Sequence, residues 1–461
     1  MLINNSLTID ALKPKINRLF ELSAEKIKIL EKRWDPARGT PVFTVAGQYT
    51  TRGWTEWTQG FQFGSALLQF DATSDAWFLD YARHKIQTLM APHLTHLGVH
   101  DHGFNNVSTY GNLLRLAREG RIEASDGEIE SYRVALKCSG AVQAARWTRI
   151  ADGRGFIYSF NGPHSLFADT IRSLRSLAVA HKLGHYLLTE NDKRVSLLER
   201  LLQHASVTAD FAVYYGEGRD LYDVRGRVAH ESIFNVNDGN YRCPNSQQGY
   251  SPFSTWTRAL AWIMCGYAEQ LEFLGVVQDS ELGPFGGRAS VEAQLLRAAE
   301  ATSDFYIDHT CRDGIPFWDT GAPGLSALKN YQKKPSDPFN DIEPVDSSAA
   351  AIAAQGLWRL GNYLRKFPRR KADSRRYRQA ALTVADTLFD EPYLSTDAAH
   401  EGLILHSVYH RPRGWDSIPP GRTIPCGESS MWGDYHAREL ALLLLREADH
   451  LPELTFFAIG D

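Results

Sequence analysis

At 461 residues the chain is long enough to bury a large core, and 43% hydrophobic with 23% charged residues is the balance of a folded globular protein rather than a disordered one. A formal net charge of -4, with no basic run denser than RKFPRRK at 365–371, excludes the electrostatic footprint of a nucleic-acid or anionic-membrane binder. The five cysteines (Cys138, Cys243, Cys265, Cys311 and Cys426) are odd in number, widely spaced and without a CxxC pair; this supports neither a disulfide framework nor a cysteine zinc site, and fits a reducing compartment.

The first residues, MLINNSLTIDALKPKINRLFEL, have no apolar core of signal-peptide length, and no later run reaches about 18 apolar residues, so a soluble cytoplasmic protein is expected. Apolar residues recur at three- and four-residue spacing along almost the whole chain, whereas alternating, strand-like runs are few and short. The spacing predicts helices over 8–33, 57–71, 73–90, 104–118, 126–144, 166–184, 190–214, 254–274, 290–309, 346–364, 373–389 and 431–448. Twelve helices, mostly joined by short connections, are what six hairpins need to close into an all-α (α/α)6 barrel. The longer connections 145–165, 215–253, 310–345 and 390–430 are rich in Gly, Pro, Asp and aromatic residues, and are expected to crowd one end and carry function. No low-complexity linker divides them, so one domain over 1–461 is expected.

Candidate chemistry begins at His100-Asp101-His102-Gly103-Phe104, at the entry to a predicted helix. Asp101 there is either an N-cap or a functional carboxylate, and a metal role for His100 and His102, helped by His93 and His96, is the weaker reading. Asp169 follows in LFADTIRSLRSLAVA, a carboxylate beside Leu and Phe. It is either a satisfied structural group or an acid whose pKa burial raises, and a second carboxylate nearby, such as Asp101, would strengthen that effect. In 215–253, His230 precedes Gln248. Asp346 or Ser347 reads as a helix N-cap, and Asp434 as a structural acid near the start of the last helix.

Gln247 to Trp262, QQGYSPFSTWTRALAW, is a polar loop running into an apolar helix. Ser251 or Ser254 can cap it and Pro252 can occupy its first turn, which sets Trp256, Arg258 and Trp262 around the helix mouth. Trp faces stack on sugar rings, an Arg fork pairs with a carboxylate, and Gln248 offers a donor and an acceptor to hydroxyls. The same residues also suit a capped core helix with Trp fillers.

Taken together, nine segments in one order resemble the unsaturated glucuronyl hydrolases of glycoside hydrolase family 88. They are WTQGF from Trp57, HDHGF from His100, LFADTIRSLRSL around Asp169, His230 in its loop, QQGYSPFSTWTRALAW, the FWD near Trp318, DSSAAAIAAQGL from Asp346, LHSVYHRPRG from Leu405 and MWGDY from Met431. The resemblance implies an (α/α)6 barrel with its site at one mouth. It also implies an enzyme that hydrates the C4=C5 double bond of a non-reducing-end 4,5-unsaturated glucuronic acid, on oligosaccharides left by polysaccharide lyases. By that resemblance Asp169 is the acid/base, Asp101 its supporting carboxylate, and His230, Gln248, Trp256 and Arg258 contact substrate, with Trp57 and Trp262 expected beside them. No metal or organic cofactor is expected, because protonating an enol ether needs an acid and a water. The partner is an acidic oligosaccharide; loop Trp and Tyr residues either close the site or form a subunit contact.

Gln62, the YSPFS of Tyr250–Ser254, Ala259-Leu260 and the insertion after Asp319 depart from the family's pattern, and are expected on the sugar-binding surface. They leave room for a hydrolytic glycosidase acting on intact β-glucuronides with the same two carboxylates, or for a non-catalytic carbohydrate-binding barrel.

Overall fold

In the computed structural model, which describes residues 1–53 and 56–458, long helices alternate between two kinds along the chain. Positions 54–55 and 459–461 of the range expected for one domain lie outside the described residues. Ile9–Arg33, Ala76–Leu89, Asp126–Ala145, Leu197–Phe211, Gly287–His309 and Lys371–Leu388 each bury one stripe and expose the other face. Between them come Gln59–Thr73, the helical stretches 102–118 and 170–182, Thr257–Leu274, Ser347–Arg365 and Met431–Ala448, which are buried almost all round. A helix apolar on every side belongs inside a ring, and one with a single apolar stripe belongs outside it.

The contacts follow that division. Each inner helix touches the next, and Met431–Ala448 returns to Gln59–Thr73, which closes the ring; each outer helix packs on the inner helices beside it. This is an (α/α)6 barrel. Close approach within the ring needs small residues. Ala349, Ala350, Ala351, Ala353 and Ala354 are all fully buried, and a Cβ on Gly103 would stand 2.2 Å from the carbonyl oxygen of Ser173.

Two expected helices start late. Ser165–Phe167 is a strand, paired antiparallel with Glu231–Phe234, so the helical stretch expected from 166 begins at Thr170. A hairpin of Leu187–Thr189 with Lys193–Val195 occupies the start of the segment expected over 190–214. Ser196 then caps Leu197–Phe211 by accepting from the Glu199 amide. The 365–371 run is a short turn between two helices, as its charge suggests. All five cysteines are free, and no helix among the described residues is long and apolar enough to cross a membrane.

The ring has polarity. All six inner helices begin at one end, beside Thr58, Asp101, Asp169, Trp256, Asp346 and Ser430, and several of these positions border one pocket.

Candidate active site

The pocket is lined by Trp57, Asp101, Asp169, Gln248, Trp256, Arg258 and Trp262, all singled out by sequence, and by Val99, His100, Phe104, Phe160, Gln247, Tyr409, His410 and Trp415. The 145–165, 215–253 and 390–430 connections therefore supply its rim, while 310–345 supports the Tyr250–Trp256 loop from behind. There the Tyr250 amide donates to Asp319 Oδ2 at 2.8 Å, and the Thr255 amide donates to Thr320 Oγ1 at 3.0 Å.

Asp101 and Asp169 both stand in the N-cap position of an inner helix, and neither side chain makes a capping bond. Both turn toward His100, which is fully buried. Its Nε2 lies 3.3 Å from Asp169 Oδ1 and 3.7 Å from Asp101 Oδ1. Phe160 stacks on its ring at 5.9 Å, and Phe167 meets it edge-on at 5.5 Å. The capping reading of Asp101 does not hold, because its carboxylate is spent on the histidine.

This imidazole reverses the expected electrostatics. Burial pushes Asp101 up to about 6, with His100 only partly offsetting it and Asp169 adding like-charge repulsion. Burial also works to raise Asp169, but the charge and hydrogen bond of His100, helped by His230, hold it below the ordinary carboxylate range. His100 is itself raised, because the two carboxylates outweigh its desolvation. The proton expected on Asp169 thus belongs first to Asp101 and His100.

His230 lies behind the wall, 4.5 Å from the Phe167 ring and 4.7 Å from Trp256. Its Nδ1 accepts from the amides of Gln247 and Gln248 at 3.1 and 3.4 Å, which assigns the proton to Nε2, a buried atom without a partner. Burial lowers its pKa to about 4, so the ring is a neutral donor.

Arg258 differs from its expected role. It donates to the carbonyls of Val408 and Tyr409, to Asp346 and to Gln248 Oε1, and lies between the faces of Trp256 and Trp432. In this state it props Gln248 and the 408–409 backbone instead of offering a free fork. Trp256 is the N-cap residue of its helix, so neither Ser251 nor Ser254 caps it; the Trp256 Nε1 is buried without a partner. Trp262 packs on Phe104 at 4.8 Å, and Trp57 stacks on Trp432 at 5.1 Å.

The other histidines of the HDHGF region disperse. His93 meets Gln59 and Asn105, and His102 meets Ser139 and the carbonyl of His96. His100, Asp101 and Asp169 carry ligand atoms within 4.8 Å of one another, the spacing of a metal-ligand set, and His93, His96 and His102 are not part of that group.

None of the sequence departures lines the pocket. Gln62 faces a separate internal cleft with Lys26, Tyr49 and Tyr81, Ala259 and Leu260 are core residues, and Phe253 is exposed against Tyr222. Sequence reasoning weighed His100 only as a metal ligand, and missed Phe160, Gln247, Tyr409, His410 and Trp415 as pocket residues. Four of these sit inside or beside motifs already singled out, His100 next to Asp101, Gln247 next to Gln248, and Tyr409-His410 within LHSVYHRPRG, while Phe160 lies in the 145–165 connection.

No protein-family model matches the chain. Among curated proteins it is similar to the unsaturated glucuronyl hydrolase of Formosa agariphila, at 25% identity over 389 residues that cover 83% of this chain and 78% of the relative. Among solved structures it superposes on the unsaturated glucuronyl hydrolase of Bacillus sp. GL1 with a TM-score of 0.71 and 21% identity, over 97% of this chain and 99% of that one. A variant of the Streptococcus agalactiae unsaturated glucuronyl hydrolase, complexed with dGlcA-GalNAc6S, aligns with a TM-score of 0.63 and 18% identity over 96% and 92% of the two chains. In sequence over most of its length, and in fold over nearly all of it, the chain resembles the unsaturated glucuronyl hydrolases.

Proposed function

We propose that this chain is a glycoside hydrolase that removes a non-reducing-end 4,5-unsaturated glucuronic acid from acidic oligosaccharides by hydrating its C4=C5 bond. One observation carries the reading: two helix-start carboxylates that cap nothing meet across a buried histidine in an aromatic pocket. The pocket holds a titratable proton and flat faces for one sugar ring, with His230, a neutral donor, behind its wall.

Asp169 is the proposed donor. A proton held by Asp101 and His100 passes to Asp169, and from there to C4, leaving an oxocarbenium ion at C5 and O5. Water adds at C5 and gives its proton to the Asp169 carboxylate, which restores the acid. The resulting hemiketal opens at C5–O5, and the freed C1 hemiacetal releases the remaining sugar. Asp101 and His100 tune and supply the proton; Gln248, Trp256, Trp57 and Trp262 hold the ring, and Arg258 fixes Gln248. The carboxylate oxygens within 4.8 Å of each other argue against an inverting glycosidase, whose pair needs about 6.5 Å or more for the water between them.

The same proposal treats the chain as one catalytic domain in a reducing cytoplasm. In support, the main hydrophobic core draws on residues from Leu12 to Phe457, and all five thiols are free.

The test is loss of the conjugated-alkene ultraviolet absorbance of lyase-generated unsaturated disaccharides. Wild type is expected to consume it, and Asp169→Asn and Asp101→Asn to lose about 100-fold or more of the rate. Release of saturated glucuronic acid from intact glucuronides, with no consumption of the alkene, would replace hydration by ordinary glycosidic hydrolysis.

A further inference from the structure

The pocket has two unlike walls. Asp101 and Asp169 form one, and a substrate carboxylate is repelled from it. On the other, Arg258 is already committed to Asp346, Gln248 and two backbone carbonyls. His410 lines that wall with only 4% of its surface exposed, and its Nδ1 is buried without a hydrogen-bond partner. Its position is fixed by Trp415, whose ring lies 5.1 Å away and whose amide donates to the His410 carbonyl at 3.3 Å. Arg413, Arg258 and His230 surround it with positive or donor character. A buried nitrogen left unmatched in a folded protein is costly unless something else meets it.

Resting on the hydration reading, we propose that His410 is a specificity-determining residue, whose Nδ1 meets the C5 carboxylate of the unsaturated uronate. The placement suits the chemistry. The carboxyl group hangs on C5, next to the carbon that receives the proton, so a ring with C4 at Asp169 needs a donor elsewhere on the pocket lining to meet its anion. A histidine held neutral among cationic neighbours also discriminates against a neutral ring, which gives those neighbours no counter-charge.

The experiment uses full-length Asp169→Asn protein, expected to bind with turnover too slow to disturb the titration, and titrates it calorimetrically with an unsaturated glucuronyl disaccharide and with its uronate methyl ester. The acid is expected to bind about 10-fold or more tighter than the ester. Adding His410→Leu should reduce that preference to within about twofold while leaving the ester's affinity unchanged, and His410→Asn should restore part of it. A preference untouched by His410→Leu, an equal weakening of both ligands, or no preference in the starting protein would overturn the assignment. Failure of wild type to hydrate the alkene is read separately, in the absorbance assay, and counts against the reaction instead.

Discussion

Asp101 and Asp346 both precede the first turn of an inner helix, yet only Asp346 caps, accepting from the Ser348 and Ala349 amides. What separates them is the nearest cation. Arg258 approaches Asp346 to 3.4 Å without displacing its backbone donors, whereas His100 draws Asp101 and Asp169 off their own helix ends. Asp101 is therefore buried with neither cap bonds nor a full ion pair, which is a cost to the fold kept for the site. The sign follows from the proton. The native state binds it more tightly, at about 6 against 3.8, so the penalty is absent below about 3.8, grows between the two values and is complete above about 6. Asp101→Asn should then be more stable than wild type at pH 8 by on the order of 1–3 kcal/mol, with the gap closing as the pH falls from about 6 to about 4. Urea midpoints at pH 8 and pH 4 check this; an Asn variant less stable at pH 8 would mean that the His100 attraction outweighs the burial cost.

At the scale of elements, the carboxylates meet because two helix starts cross at a glycine. The Gly103 amide donates to Ser173 Oγ at 2.8 Å, and a Cβ on Gly103 would lie 2.2 Å from the Ser173 carbonyl oxygen, a backbone atom that cannot swing aside. Gly103→Ala must push 102–105 away from 170–173, and with it Asp101 from Asp169. We expect a cost of about 1–3 kcal/mol, together with a loss of activity larger than that stability loss explains, measured as kcat/KM on protein verified as folded. Unchanged activity in a stable variant would show that the pair tolerates separation. The sequence carried much of this level. Long segments with apolar spacing gave the helices, and HDHGF and LFADT gave the two acids, because those signals are local. Leu166 and Phe167 read as helix because the partner of the Ser165–Phe167 strand, Glu231–Phe234, lies more than 60 residues away. His100 and His410 look like any loop histidine until the fold sets their neighbours, and Gln62 reads as pocket-facing until its helix is rotated into place.

For the whole molecule, the ring must hold the site rigid while carrying charge through its centre. Arg172, one turn beyond Asp169, reaches Glu269 at 2.7 Å and Glu439 at 3.1 Å; Arg175 lies 3.8 Å from each, and Arg359 reaches Glu272 at 2.8 Å. These six groups, five of them buried and Glu272 only partly so, number three of each sign and tie together four inner helices, 170–182, 257–274, 347–365 and 431–448. Closing the ring thereby also anchors the helix that starts at Asp169. Glu439 comes from the last helix, and burial would raise its pKa, but Arg172 and Arg175 outweigh that and hold it down at about 2 against 4.5. A depressed carboxylate stabilises the fold fully above the unfolded value and loses that contribution as pH falls toward the native one. Glu439→Gln leaves two guanidinium groups short of a counter-charge, and should cost about 3–5 kcal/mol at pH 7. Between pH 7 and pH 4 the gap to wild type should shrink by on the order of 1 kcal/mol, because the wild-type unfolded chain then takes up a proton that the native state refuses. Urea unfolding of both proteins at the two pH values decides it. A gap that stays constant would place the cost in packing, and one below about 1 kcal/mol would mean that Glu269 alone satisfies both arginines.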